Sequence, residues 1–230
     1  MDEINNMTEK NIKRQKLLKD IGVDRSAILI NTSQWIKILT ENKLSDEFIE
    51  EFRFTITWDL ICEHYSLSEE LIEKYKDEMD WRFIFEFLNL SEAFISKYHD
   101  YQNGDYWDEI SLNQKLSENF IREFQNEVDW CSISREQILS EDFIEEFKDQ
   151  VDWLRISIGQ KLSDKFLKKF SNKIKWNYYF NNQEASFEIM KKFILKSGFH
   201  TTNDFKTRHL SQLHLNEIEK ILVLKHMFVY

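Results

Sequence analysis

Residues 139–153, LSEDFIEEFKDQVDW, followed by LRISIGQK up to the next leucine at 162, form the stretch whose reading decides the fold. The pattern starts six times, at Leu44, Leu67, Leu90, Leu116, Leu139 and Leu162, each time followed by serine. In every copy except the third, a tryptophan falls 14 residues after the leucine. All seven tryptophans, Trp35, Trp58, Trp81, Trp107, Trp130, Trp153 and Trp176, therefore stand on one ruler, with steps of 23, 23, 26, 23, 23 and 23 residues. Self-similarity at such a period marks a solenoid or array, in which each unit buries its apolar face against the next.

Within the unit, Ser140 is placed to cap a helix, with Glu141 and Asp142 at the positive end of the helix dipole. Leu139 before the cap and Ile144 inside it fit a hydrophobic staple. Phe143, Ile144 and Phe147 make one apolar face opposite Glu145, Glu146 and Lys148. Asp152 then caps a second helix that opens on Trp153. Asp80, Asp129 and Thr57 repeat that cap, whereas Tyr106 and Lys175 are poorer ones. The expected fold is all-α, an αα-hairpin solenoid of about 23-residue repeats, with two helices of roughly eight to ten residues in each. Helices that short are barely populated alone, so stacking must stabilise them. Residues recurring at one repeat position are core, which is the structural role expected of Trp58, Trp81, Trp107, Trp130, Trp153 and Trp176.

The expected organisation is one continuous domain. Residues 1–43 supply an N-terminal cap helix, Asn11 to Ile21, and a half repeat, with about the first eight residues disordered. Residues 44–183 hold six repeats, and residues 184–230 hold divergent basic capping repeats, with Phe199 and then Leu224 in the tryptophan place. Asp100 to Asp105 (DYQNGD) carries the three extra residues of the third copy and Gly104, an enlarged loop.

Charge is strongly partitioned. The whole chain carries −10, but residues 44–160 hold 29 Asp+Glu against 10 Lys+Arg, while residues 161–230 hold 13 Lys+Arg against 6 Asp+Glu. Even the unit switches sign: Glu145 and Glu146 become Lys168 and Lys169 in the next copy. Such charges either solvate the outer faces or recognise a partner of opposite charge. On the second account the contact residues are Glu50, Glu51, Glu141, Asp142, Glu145, Glu146, Lys168 and Lys169, and the partner is a protein with a basic surface. Direct nucleic-acid binding by the acidic body is disfavoured, because neutralising phosphates needs a basic footprint. The 161–230 region, with Lys165, Lys168, Lys169, Lys173 and Lys175, remains open to phosphate.

No motif assigns catalysis, a cofactor or a metal. The six histidines and the two cysteines, Cys62 and Cys131, lack zinc spacing, and neither a Gly-rich phosphate loop nor a nucleophile elbow is present. His200, His209 and His214 cluster in the tail as ordinary histidines or, in a reading where the tail handles nucleic acid, as a metal site. The cysteines are small fillers. No run of about 18 apolar residues occurs, and MDEINNMTEK lacks a secretory signal, so a cytoplasmic protein without a membrane segment is expected.

The motif L-S-x-x-F-I-x-x-F followed by V-D-W-x-x-I-S resembles a repeat found in many uncharacterised proteins of giant DNA viruses and large bacteriophages. The resemblance covers residues 44–183 well and the tail weakly. It implies a viral or phage origin and an interaction role, and with the acidic body it leads to the expectation of a non-enzymatic module, an inhibitor that acts as a nucleic-acid mimic and occludes a basic site on a host defence protein. A structural or assembly scaffold, or a nucleic-acid-handling protein acting through its basic tail, are the alternatives.

Overall fold

The computed structural model describes residues 2–23, 30–198 and 212–228, and among them all regular structure is helical. They divide into two compact units, 1–114 and 115–230. The first contains α1 (Asp2–Asp20), α2 (Thr32–Glu41) and three hairpins: α3 (Asp46–Phe52) with α4 (Trp58–His64), α5 (Glu69–Tyr75) with α6 (Trp81–Phe87), and α7 (Glu92–Tyr98) with α8 (Trp107–Asn113). The second contains α9 (Glu118–Glu123) with α10 (Trp130–Glu136), α11 (Glu141–Glu146) with α12 (Trp153–Gly159), and α13 (Asp164–Lys169) with α14 (Trp176–Asn182). It ends in α15 (Phe187–Phe193) and α16 (Gln212–Phe228). Each unit is thus a solenoid of αα-hairpins in which the second helices stack on one another, α4 on α6 on α8 and α10 on α12 on α14.

The repeat helices are shorter than the sequence pattern suggests, six or seven residues instead of eight to ten. Caps set both ends. Ser45, Ser68, Ser91, Ser117, Ser140, Ser163 and Ser186 each accept from the backbone N–H three residues on. Thr57, Asp80, Asp129 and Asp152 cap the second helices, and Tyr106 and Lys175 make no side-chain cap bond. The C-terminal caps of α4, α6, α8, α10, α12 and α14 are all extended, which stops each second helix after two turns.

Helices of this length leave most of their peptide groups without an intrahelical partner, since the first four N–H and last four C=O groups of any helix are unpaired. Neighbouring repeats satisfy them. Buried Gln160 donates to the carbonyls of Ser134 (3.2 Å) and Gln137 (2.7 Å) and accepts from Leu139 N–H (3.1 Å). Buried Gln114 does the same for Phe85, Leu88 and Leu90, Gln137 accepts from Leu116 N–H, and Gln183 donates to Ile158. The hydroxyls of Ser134 and Ser157 donate to the tryptophan carbonyls four residues back. They accept from the N–H of Asp152 and Lys175, the cap positions of the next repeat.

Tryptophans close the hairpin corners, except that Trp58 donates instead to the Glu78 carboxylate at 3.3 Å. The indole N–H of Trp81, Trp130, Trp153 and Trp176 donates to the carbonyl five residues earlier, at the end of the preceding helix, over 2.8–3.1 Å. The ring packs on an aromatic of the next repeat: Trp58 on Tyr75, Trp81 on Tyr98, Trp130 on Phe147, Trp153 on Phe170, Trp176 on Phe193. Trp35, Trp58, Trp81, Trp107 and Trp176 are buried as expected of core, whereas Trp130 and Trp153 are only half-buried.

Three other features differ from the sequence reading. Helix α1 begins at Asp2, well before Asn11, and its Arg14 holds Glu51 at 2.8 Å. Residues 212–228 form one continuous helix instead of a degenerate hairpin; Ile218 and Leu222 are buried against α15, while Leu224 is exposed. Phe199 lies outside the described residues. In the third-repeat loop, Gln102 and Asn103 take the left-handed conformation (φ 58° each), not Gly104. Gly104 leaves room for the Tyr106 ring, whose far edge packs where its Cβ would be.

Replacing Gln160 by leucine strands the Leu139 N–H and two carbonyls in the interior. At about 1–3 kcal/mol for each unsatisfied group, the urea midpoint is expected to fall by the equivalent of at least ~2 kcal/mol. Replacing the 97 % exposed Ile138 by serine should change it by less than about 0.5 kcal/mol. Equal effects would remove the glutamine from the account of stability.

Candidate protein-interaction surface

The first helices carry most of the carboxylates singled out from the sequence, and the structure engages them between repeats. Glu50 pairs with Lys74 (2.6 Å), Glu51 with Arg14 (2.8 Å), Glu146 with Arg122 (2.8 Å), and Glu145 with Lys169. Both carboxylate oxygens of Glu141 accept from Ser163, one from its N–H and one from its hydroxyl. Glu69 holds Ser91 in the same way, Glu118 accepts from Ser140 N–H, and Asp46 and Asp164 accept from the hydroxyls of Ser68 and Ser186. Further rungs join Glu73 to Lys97 (2.5 Å) and Asp149 to Lys173 (2.9 Å). Of the eight proposed contact residues, Asp142 and Lys168 are exposed without an ion-pair partner among the described residues.

The electrostatics follow the rungs. The hydrogen bond from Lys97, joined by one from Tyr98, holds the Glu73 carboxyl below its ordinary value, and Lys173 does so for Asp149. Glu50 raises Lys74, and Glu73 raises Lys97. At the Asp129 cap, desolvation opposes ionisation, but hydrogen bonds from Ser132 and from the Cys131 N–H outweigh it and lower the carboxyl from its ordinary 3.8. Burial pushes the Cys62 thiol up to about 12, so this cysteine is a core filler. Cys131 is half-buried, and both thiols are free.

The second helices of unit 1 behave differently. On the outward sides of α4, α6 and α8 stand Asp59, Glu63, Glu86, Asp108 and Glu109, four of them exposed and Glu109 half-buried. Among the described residues no lysine or arginine pairs with any of them; Glu63 lies 3.8 Å from the imidazole of His64. Arg82, the cation on this face, is turned to Asp80 at 3.8 Å. Apolar side chains sit among these carboxylates: Phe87 and Leu112, each 39 % exposed, and half-buried Leu60 and Phe83. The matching positions of α10, α12 and α14 in unit 2 hold Arg135 with its partner Glu136, Arg155, Leu154, Ile158, Asn177, Tyr178 and Asn181 instead.

Sequence reading weighed the carboxylates of the first helices because they recur in the plainest copy. It missed Asp59, Glu63, Glu86, Asp108 and Glu109, which occupy no single repeat position. A per-position comparison of the residues after each tryptophan could have found them.

His200 and His209 lie outside the described residues, and His214 stacks on Phe187 with ring centroids 4.1 Å apart. Among the described residues no helix is long and apolar enough to cross a membrane. In comparisons with known proteins, no family model matches the chain, and no curated protein or solved structure does either.

Two measurements check this picture. Reversing Lys169 to glutamate should lower stability by up to about 1 kcal/mol, and adding Glu145→Lys should restore most of it; no recovery would deny the rung. Asp129, whose carboxyl is held below its unfolded value, contributes stability that is present above pH ~4 and lost as the pH falls through its folded value. The Asp129→Asn chain should therefore lose less stability than wild type on acidification below pH ~4. Parallel acid profiles for the two chains would deny the cap its role.

Proposed function

We propose that the chain is a non-enzymatic interaction module that binds a basic surface of another protein. The observation that carries this reading is the set of carboxylates left over once the rungs between repeats are formed. Among them, Asp59, Glu63, Glu86, Asp108 and Glu109 stand on the second helices of unit 1 and Asp142 on a first helix of unit 2, with no lysine or arginine paired to them among the described residues. Fixed like charges on an ordered scaffold repel one another, and a partner of opposite sign relieves that repulsion while steering its own approach. The resemblance of the repeat to those of giant-virus and phage proteins supports a specific setting. In it the chain is an inhibitor that occupies the nucleic-acid-binding site of a host defence protein in the host cell cytoplasm.

A second reading rests on the opposite end. Lys161, Lys165 and Lys168 are exposed and have no carboxylate partner among the described residues, which supports phosphate contact through the 161–230 region.

Immobilised full-length chain should retain a basic protein from a host lysate at about 50 mM salt and release it at about 500 mM, where the Debye length falls to a few ångströms. Added duplex nucleic acid should compete for the retained protein. Retention of nucleic acid itself would favour the second reading, and recovery of the chain alone would favour self-assembly.

A further inference from the structure

We infer that the outward face of α4, α6 and α8 docks a basic amphipathic helix of the partner, lying across all three helices. The inference rests on the reading that the chain binds a basic protein, and it adds which face binds and what shape the ligand has.

Three observations carry it. First, the carboxylates of this face are left without lysine or arginine partners among the described residues. On the first helices of unit 1, Glu47, Glu50, Glu51 and Glu73 have cationic partners, whereas Asp59, Glu63, Glu86, Asp108 and Glu109 on the second helices have neither lysine nor arginine among the described residues. Second, the face is amphipathic. Phe87 and Leu112 are 39 % exposed, and Phe83 lies beside Phe87 with ring centroids 5.7 Å apart. Exposed aromatic and aliphatic side chains within a charged surround suit the anchor pockets of a helix-binding surface better than they suit a purely solvated face. Phosphate would be repelled here and would leave the apolar part uncovered.

Third, the spacing fits a helix. Packed helices lie roughly 8–10 Å apart, and two turns of an α-helix advance about 10.8 Å. Side chains seven residues apart on a crossing helix therefore meet successive second helices, and spanning all three takes about 15 residues. The chain's own basic helix α1 is already engaged, because Lys13 and Arg14 hold Glu47 and Glu51 and Leu18 is buried. The ligand is accordingly a lysine- or arginine-rich helix with leucine-like residues on the same side.

The test uses the full-length chain and two labelled peptides of about 18 residues with the same lysine and leucine composition. One is patterned to place both residue types on one helical face, and the other is scrambled. By fluorescence anisotropy, the patterned peptide should bind at least about tenfold more tightly than the scrambled one. Asp108→Lys with Glu109→Lys should weaken it by about tenfold or more, and Asp142→Lys, on a first helix of unit 2, by no more than about twofold. Phe87→Ser, or Leu112→Ser if the first variant melts early, should erase the preference for the patterned peptide. Equal affinity for the two peptides, or equal loss on reversing Asp142, would overturn the docking face while leaving a basic partner in place. No binding of either peptide at low salt would overturn both.

Discussion

A peptide group removed from water must find a partner, and helices of six or seven residues cannot supply enough partners from within. The rest of the structure depends on that constraint. Serine hydroxyls answer it at the start of each first helix, and indole N–H groups answer it where that helix ends. Buried glutamines answer it where the second helix ends and the chain crosses to the next repeat. Because the glutamine and the serine hydroxyl reach from one repeat into another, hydrogen bonding that would be local in a longer helix becomes tertiary. The repeat is short because its neighbours complete it.

Apolar packing and polar satisfaction then act at the same corner. Trp153 donates its indole N–H to Lys148 and places its ring on Phe166 and Phe170 of the next hairpin, so one side chain ends a helix and joins two repeats. A phenylalanine there would keep the stacking and lose the carbonyl partner. This explains why tryptophan, and not merely an aromatic, recurs at 23-residue steps.

Period, caps and core residues were legible because they depend on local chemistry repeated many times. Ser140, Asp152 and Phe143 act in the structure much as their spacing says. The glutamines at 114, 137, 160 and 183, the first three buried and the last half-buried, carried the same 23-residue signal, but a polar residue beside a loop reads as solvated until the fold shows backbone groups converging on it, three of them at Gln114 and Gln160. Helix length was overestimated because an apolar face at helical spacing does not reveal an extended C-cap. The tail was least legible: α16 is one long helix whose buried Ile218 and Leu222 fit a hairpin pattern equally well. For the candidate surface, sequence gave the sign of the charge but not its placement. Glu50, Glu141 and Glu145 recur in the clearest copies and hold repeats together, while Asp59, Glu63, Glu86, Asp108 and Glu109 lie at positions after the tryptophan that change from copy to copy.

Charge therefore has two roles in this chain, separated by helix. On the first helices it ties one repeat to the next, and on the second helices of unit 1 it faces outward around Phe87 and Leu112. The account as a whole stands on the junctions between repeats, and hydrogen exchange at the backbone amides of Leu116 and Leu139 tests them most directly. Both amides sit in short non-helical linkers, yet each donates to a buried glutamine oxygen. The account predicts that they exchange as slowly as the helical amides of Ile133 and Ile156; exchange at the rate of open loops would contradict it.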